Sequence, residues 1–261
     1  MNTPRNPPDP VGLAMARNIQ DQVHPAQVIL CGSRAVGDHR PDSDVDLTAI
    51  APDIDTAVRT KAVLRELLAG QYDDPVVNVM TITLEEFQDQ APLAQSFAGQ
   101  TARYGVTLDG RSLDYRPDRE PAPDEVRDLT LRWLRLAAMH LEMVEHVLKR
   151  PTMWGVYFLG REAQWGLERS FKALLAAGND PIRFRRDAAF LWRHVENVRP
   201  IGDRGGTLAV ENLLAATATP DGLGCGLTAF SEAYRRDAEY PDLSDSELEG
   251  VKRWIGPALE A

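Results

Sequence analysis

Cysteine is scarce in this chain: Cys31 and Cys225 are its two. That is too few for a disulfide framework or a four-cysteine metal site, and the usage implies a reducing cytoplasm. Long apolar runs are also missing, since no window reaches the roughly 18 apolar residues that a membrane span needs. The opening "MNTPRNPPDP" lacks the basic stretch and apolar core of a secretory leader. Positive charge is in deficit, with 29 Lys and Arg against 39 Asp and Glu and a formal net charge of −10. Such a balance argues against a sequence-blind nucleic-acid coat, which needs a concentrated positive surface. The local cluster Arg183, Arg185, Arg186, Arg193 and Arg199 reads as a solvated helix face.

What is present suffices for two modest domains or one large one, with 261 residues of which 43% are apolar. "VGLAMARNIQDQV" has helical spacing and stops before Pro25. "QVILCG", "VDLTAIA" and "PVVNVMTIT" are short β-branched runs, with the helix-like "DTAVRTKAVLRELLAG" between the second and third. "LEEFQDQAPLAQSFAGQTARYG" continues with helix, and "VTLDG" closes the unit. The Pro- and charge-rich "RSLDYRPDREPAPDE" reads as a linker. Beyond it, three segments from "VRDLTLRWLRLAAMHLEMVEHVLKR" to "LSDSELEGVKRWIGPALEA" carry helical spacing with almost no strand signal. Gly178 is expected at the C′ position of the second long helix, and "SDSE" fits a capping box before the last.

The chemistry lies in "CGSRAVGDHRPDSDVD" at 31–46. Gly32 lets backbone approach a ligand closely at the end of an apolar strand, and exposed N–H groups with the Ser33 hydroxyl can cradle phosphate oxygens. Asp44 and Asp46 are two apart at the start of the next strand, so they point to the same face. Converging carboxylates repel unless a cation lies between them, and a hard cation such as Mg²⁺ takes oxygen ligands supplemented by substrate phosphates. A phosphate cradle beside such a site implies a nucleoside triphosphate and in-line attack on phosphorus. Arg34 is placed to assist with phosphate charge, or else is a surface arginine.

Gly32, Ser33, Asp44 and Asp46, with Gly37, Pro41, Asp42 and Ser43 between them, resemble the signature of the polymerase-beta-like nucleotidyltransferase superfamily. The resemblance extends over roughly residues 10 to 110 in the order of elements. It implies that Ser33 contacts the triphosphate while Asp44 and Asp46 ligate Mg²⁺ or Mn²⁺. The family also places a third carboxylate on the strand after the intervening helix, to share the metal and help deprotonate the acceptor. Here Asn78 stands at that place, and an amide can offer a carbonyl oxygen but cannot take a proton. Three readings follow: a base from the second domain or the substrate, slow turnover with two carboxylates, or a nucleotide-binding relic. Asp73 and Asp74 precede the strand and read with Pro75 as a turn.

The helical half resembles a HEPN domain over roughly residues 124 to 259, through Ala163, Glu168, Lys172, Ala173, Leu174 and Leu175 and then Tyr240, Pro241 and Asp242. Many members are ribonucleases with an Arg and a His four to six residues apart. Arg135 and His140 have that spacing, but they read as a helix-surface Arg and a half-buried His. His146 and Glu142 read as solvated, "GDRGG" at 202–206 as a loop, Cys31 as a small buried residue, and Trp133, Trp154, Trp165 and Trp192 as core.

The expectation is therefore an α+β chain: a nucleotidyltransferase domain with a small mixed sheet at 10–110, a linker at 111–123 and an all-α bundle at 124–261. The reaction expected is Mg²⁺-dependent transfer of a nucleoside monophosphate, AMP from ATP, to a hydroxyl with release of pyrophosphate. The layout is similar to that of aminoglycoside nucleotidyltransferases, so the acceptor is a small polyhydroxylated molecule, a tRNA end or a protein hydroxyl. The rival readings are a weakened nucleotide-binding regulator of toxin–antitoxin type, or a HEPN ribonuclease. The resemblance further implies homodimerisation through the helices.

Overall fold

The computed structural model describes residues 7–24, 26–41, 43–69, 75–113, 115–149, 153–182 and 188–198. Asp42, Asp73, Asp74, Arg183, Arg185, Arg186, Arg199, "GDRGG", Cys225, Tyr240, Pro241, Asp242 and the last expected helix lie outside the described residues. The chain divides into two compact units, Met1–Glu125 with Pro181–Phe184, and Val126–Asp180 with Arg185–Ala261. It is α+β, with a small mixed sheet in the first unit and helices after it.

The first unit opens with α1 (Pro10–Val23). Asp9 caps it, accepting from the backbone N–H groups of Val11 and Gly12, and Pro10 follows at the first helical position, where its missing N–H costs nothing. Leu13, Ala16, Ile19 and Val23 form the buried stripe of the helix. Its Gln20 reaches β1 (Gln27–Cys31), accepting from Val28 N–H at 2.7 Å and donating to Ala26 C=O at 2.6 Å. A short helix α2 (Gly32–Ala35) follows directly from the strand.

β2 (Val45–Ala51) is the middle strand, antiparallel to β1 and parallel to β3 (Val77–Thr83). A parallel pair needs a crossover, which α3 (Ile54–Leu68) supplies, capped by Asp53 on Thr56 N–H at 2.7 Å. Val45, Leu47, Ala49 and Ala51 of β2 pack with Val28 and Leu30 of β1 and with residues of α1 and α3 in one apolar cluster. The other sheet face packs Ile29, Cys31, Ile50 and Ile82 against Phe87, Ala91, Ala98 and Ala102. These last residues come from α4 (Leu84–Gln90), its C-terminal end and α5 (Phe97–Tyr104). Each fully buried Val, Leu or Ile contributes about 1.5–3 kcal/mol before entropy. Thr83 and Glu86 form a reciprocal capping box at the turn from β3 into α4. "VTLDG" contributes less than a strand: Val106 makes single bridges to Leu30 and Ser112.

The long helices α6 (Pro123–Lys149), which lies in the second unit from Val126 onward, and α7 (Met153–Ala176) are followed by α8 (Ala188–Val198). α6 buries Ala137, His140, Val144 and Val147 at helical spacing. Phe171 of α7 lies 5.6 Å from Trp192 of α8, ring to ring. Gly178 is not the left-handed residue that ends α7. Asn179 is, with φ of 51°. Asp180 N–H donates to Leu175 C=O and Asn179 N–H to Ala176 C=O, both at 2.9 Å, which is the paired pattern of a Schellman cap with Asn179 at C′.

Candidate active site

The strand directions gather the site. Because β1 runs antiparallel to β2 and β3 runs parallel to it, the end of β1 and the starts of β2 and β3 meet at one edge of the sheet. Cys31 pairs with Asp46, and Asp46 pairs with Asn78, so the three residues form one row across the strands. Asp44 lies two residues before Asp46, at the same edge. On this face the next row is Ile29, Thr48 and Met80. Thr48 is fully buried, but Met80 is 48% exposed. The cover supplied by α4 and α5 thus gives way toward β3, where Asn78 is exposed and Asp44 and Asp46 are half-buried.

Gly32 takes a left-handed φ of 66°, and a Cβ there would lie 2.5 Å from Oδ2 of Asp46. Only glycine combines that conformation with that approach. Ser33 is half-buried on α2, and its C=O accepts from Asp38 N–H at 3.0 Å as the chain turns back through Gly37, whose φ is 70°.

Asn78 lies between the two aspartates. Its Nδ2 donates to Asp44 Oδ2 at 3.3 Å and to Asp46 Oδ1 at 3.2 Å. Carboxylates close enough to share one donor repel by about 1–3 kcal/mol at surface dielectrics, and the amide dipole between them offsets part of this.

Of the two readings of Arg34, the structure overturns the surface arginine. The residue is 4% exposed, and its guanidinium faces inward. Nη1 pairs with Asp9, Nε donates to Ser43 C=O at 2.9 Å, and Nη2 donates to Pro41 and Ser43 C=O at 3.0 and 2.7 Å. Arg34 therefore ties the loop that delivers Asp44 to the N-terminus of α1. Burial pushes the Asp9 carboxyl upward, but the Arg34 hydrogen bond, the Gly12 and Val11 N–H groups and the Arg34 charge together hold it below its ordinary value. Sequence reasoning missed Asp9, although Asp before Pro at the head of an apolar helix is a cap signal.

Residues 15–97 match the nucleotidyltransferase domain family. No curated protein matches the chain. The match contains Gly32, Ser33, Arg34, Asp44, Asp46 and Asn78, and nucleotidyl transfer is the activity class that this domain supports. The likenesses stated for the helical half and for the overall layout have no such match behind them.

The matched region has a donor set that suits a hard cation. Mg²⁺ keeps several waters and uses one or two carboxylates plus substrate phosphates, so two aspartates at an exposed edge are enough. Among the described residues no cluster of three or more His, Cys, Asp or Glu forms an all-protein cage. Behind the aspartates, the Cys31 thiol lies 3.1 Å from Thr48 Oγ1 and 3.4 Å from Thr101 Oγ1. Burial pushes this thiol up to about 11, as suits a small core residue and not a nucleophile.

In the helical unit Arg135 is exposed, while His140 is buried beside Glu162, its Nδ1 2.5 Å from Oε2. Five residues along a helix separate directions by about 140°, so the two side chains do not converge. Glu142 and His146 are exposed. Glu168 and Lys172 form a buried ion pair, with Lys172 Nζ 5.1 Å from the centre of the Trp133 ring. Leu174 is exposed. No described helix is long and apolar enough to cross a membrane.

Proposed function

We propose that the chain is a Mg²⁺-dependent nucleotidyltransferase that moves AMP from ATP onto a hydroxyl and releases pyrophosphate. The observation that carries the reading is the convergence of Asp44 and Asp46 beside Gly32, inside a domain matched to nucleotidyltransferases. Asp44 and Asp46 would hold the Mg²⁺, which when bound supplies charge stabilisation to the attacking and leaving oxygens. Gly32 leaves room for backbone to approach the triphosphate, and Ser33 offers it a hydroxyl donor. Arg34 acts from behind, fixing the loop that sets Asp44. Asn78 has no basic oxygen to receive the acceptor proton, so a more acidic hydroxyl suits this site better. The phenol of a protein tyrosine, near 10, fits that requirement more closely than a sugar hydroxyl or a tRNA end.

A second reading is favoured by Asn78 itself: a nucleotide-binding regulator in which chemistry has been lost and a HEPN-like helical unit supplies the interaction surface, as in a toxin–antitoxin pair. Incubation with Mg²⁺ and ATP labelled at the α-phosphate separates the two. Label on the protein or an added acceptor, absent in Asp44→Asn/Asp46→Asn, supports the transferase. Mg²⁺-dependent binding of ATP with no transfer and no pyrophosphate supports the regulator.

A further inference from the structure

We propose that Asn78 is an exchangeable clamp: its amide N–H group holds Asp44 and Asp46 together without a cation, and its carbonyl oxygen replaces that group when a divalent ion enters. The proposal rests on the Mg²⁺-nucleotide reading of this edge and adds a role for the residue that departs from the expected carboxylate. Nδ2 lies 3.2 and 3.3 Å from the two carboxylates, in the space a shared cation would claim. The β2–β3 register sets the Asn78 backbone opposite Asp46, so the side chain need not travel. Half a turn about its last torsion exchanges nitrogen for oxygen, converting a donor to two anions into a neutral ligand for a cation.

The consequence is a site with two formal negative charges where three carboxylates would give three. It is stable when empty and binds a lone divalent ion weakly, so it favours an ion that arrives with triphosphate.

The test uses full-length protein and Mn²⁺, with bound metal followed by electron paramagnetic resonance and melting followed in chelator. Asn78→Asp should lower the metal-free melting temperature by about 2–4 °C and tighten Mn²⁺ about tenfold. Adding Asp44→Asn to it should restore the melting temperature. Asn78→Ala should also lower the metal-free melting temperature, but weaken Mn²⁺ several-fold. Equal Mn²⁺ affinity and equal metal-free melting across wild type, Asn78→Asp and Asn78→Ala would overturn the clamp and leave the metal reading intact. No Mn²⁺ uptake by any of them, with or without ATP, would contradict the metal reading and the exchange, and the metal-free melting would then decide for or against the clamp alone.

Discussion

Gly32 and Asp46 stand so close that a methyl group on the glycine would come within 2.5 Å of the aspartate Oδ2. Gly32→Ala forces either the carboxylate or the backbone at φ 66° to move. We expect a loss of about 1–3 kcal/mol, the scale of a strained left-handed residue, measured by urea unfolding. Nucleotide-dependent stabilisation should fall with it. An alanine variant with wild-type stability and binding would show that the close approach is dispensable.

Arg34 and Asp9 hold the loop from behind, both almost fully buried. Arg34→Ala takes the guanidinium from a buried carboxylate that keeps the Val11 and Gly12 N–H groups and His39 Nε2 at 3.7 Å, so the expected loss lies toward the lower end of the about 3–5 kcal/mol for breaking a buried pair. Proteolysis should also open the loop at 36–43, which loses the guanidinium that binds Pro41 and Ser43.

The same pair makes stability depend on pH. The folded carboxyl of Asp9 titrates below its ordinary value of 3.8. Its contribution is therefore complete above the unfolded value and is lost as pH falls through the lower, folded one. The stability gap between wild type and Asp9→Asn should be constant from neutral pH down to the ordinary aspartate range, then close at more acid pH. A gap that widens on acidification would reverse the sign and contradict the pairing.

At the end of α7, Asn179 carries the left-handed conformation. Asn179→Ala should cost about 1–2 kcal/mol, the penalty for a left-handed residue with a Cβ and no local hydrogen bond, while Asn179→Gly stays close to neutral. Thermal unfolding of the two variants checks the ordering.

How far the sequence carried the account depended on the range of the interactions. The strands around Val28, Leu47 and Val79 and the helices α1 and α3 were legible because local apolar spacing encodes them. Asn78 was legible as a neighbour of the aspartates only through the resemblance, which implies a third carboxylate at that place on the strand. Its bridge to both carboxylates was not, since that depends on the register of β3 against β2. The helix Gly32–Ala35 leaves no signal in the sequence, because four residues are too few to show helical spacing. The inward pairing of Arg34 was not legible because Asp9 lies 25 residues away in sequence, and no local pattern joins them. Gly178 and Asn179 both tolerate positive φ, so composition alone could not choose between them.

The most direct test of the central claim is a thermal-shift titration with ATP, GTP, CTP and UTP, each with and without Mg²⁺, on wild type and on Asp44→Asn/Asp46→Asn. The account predicts stabilisation by ATP that requires Mg²⁺ and vanishes in the double variant, since a ligand that binds only the folded state raises its melting point. The absence of any shift with all four nucleotides at millimolar concentration, or an equal shift in the double variant, would contradict it.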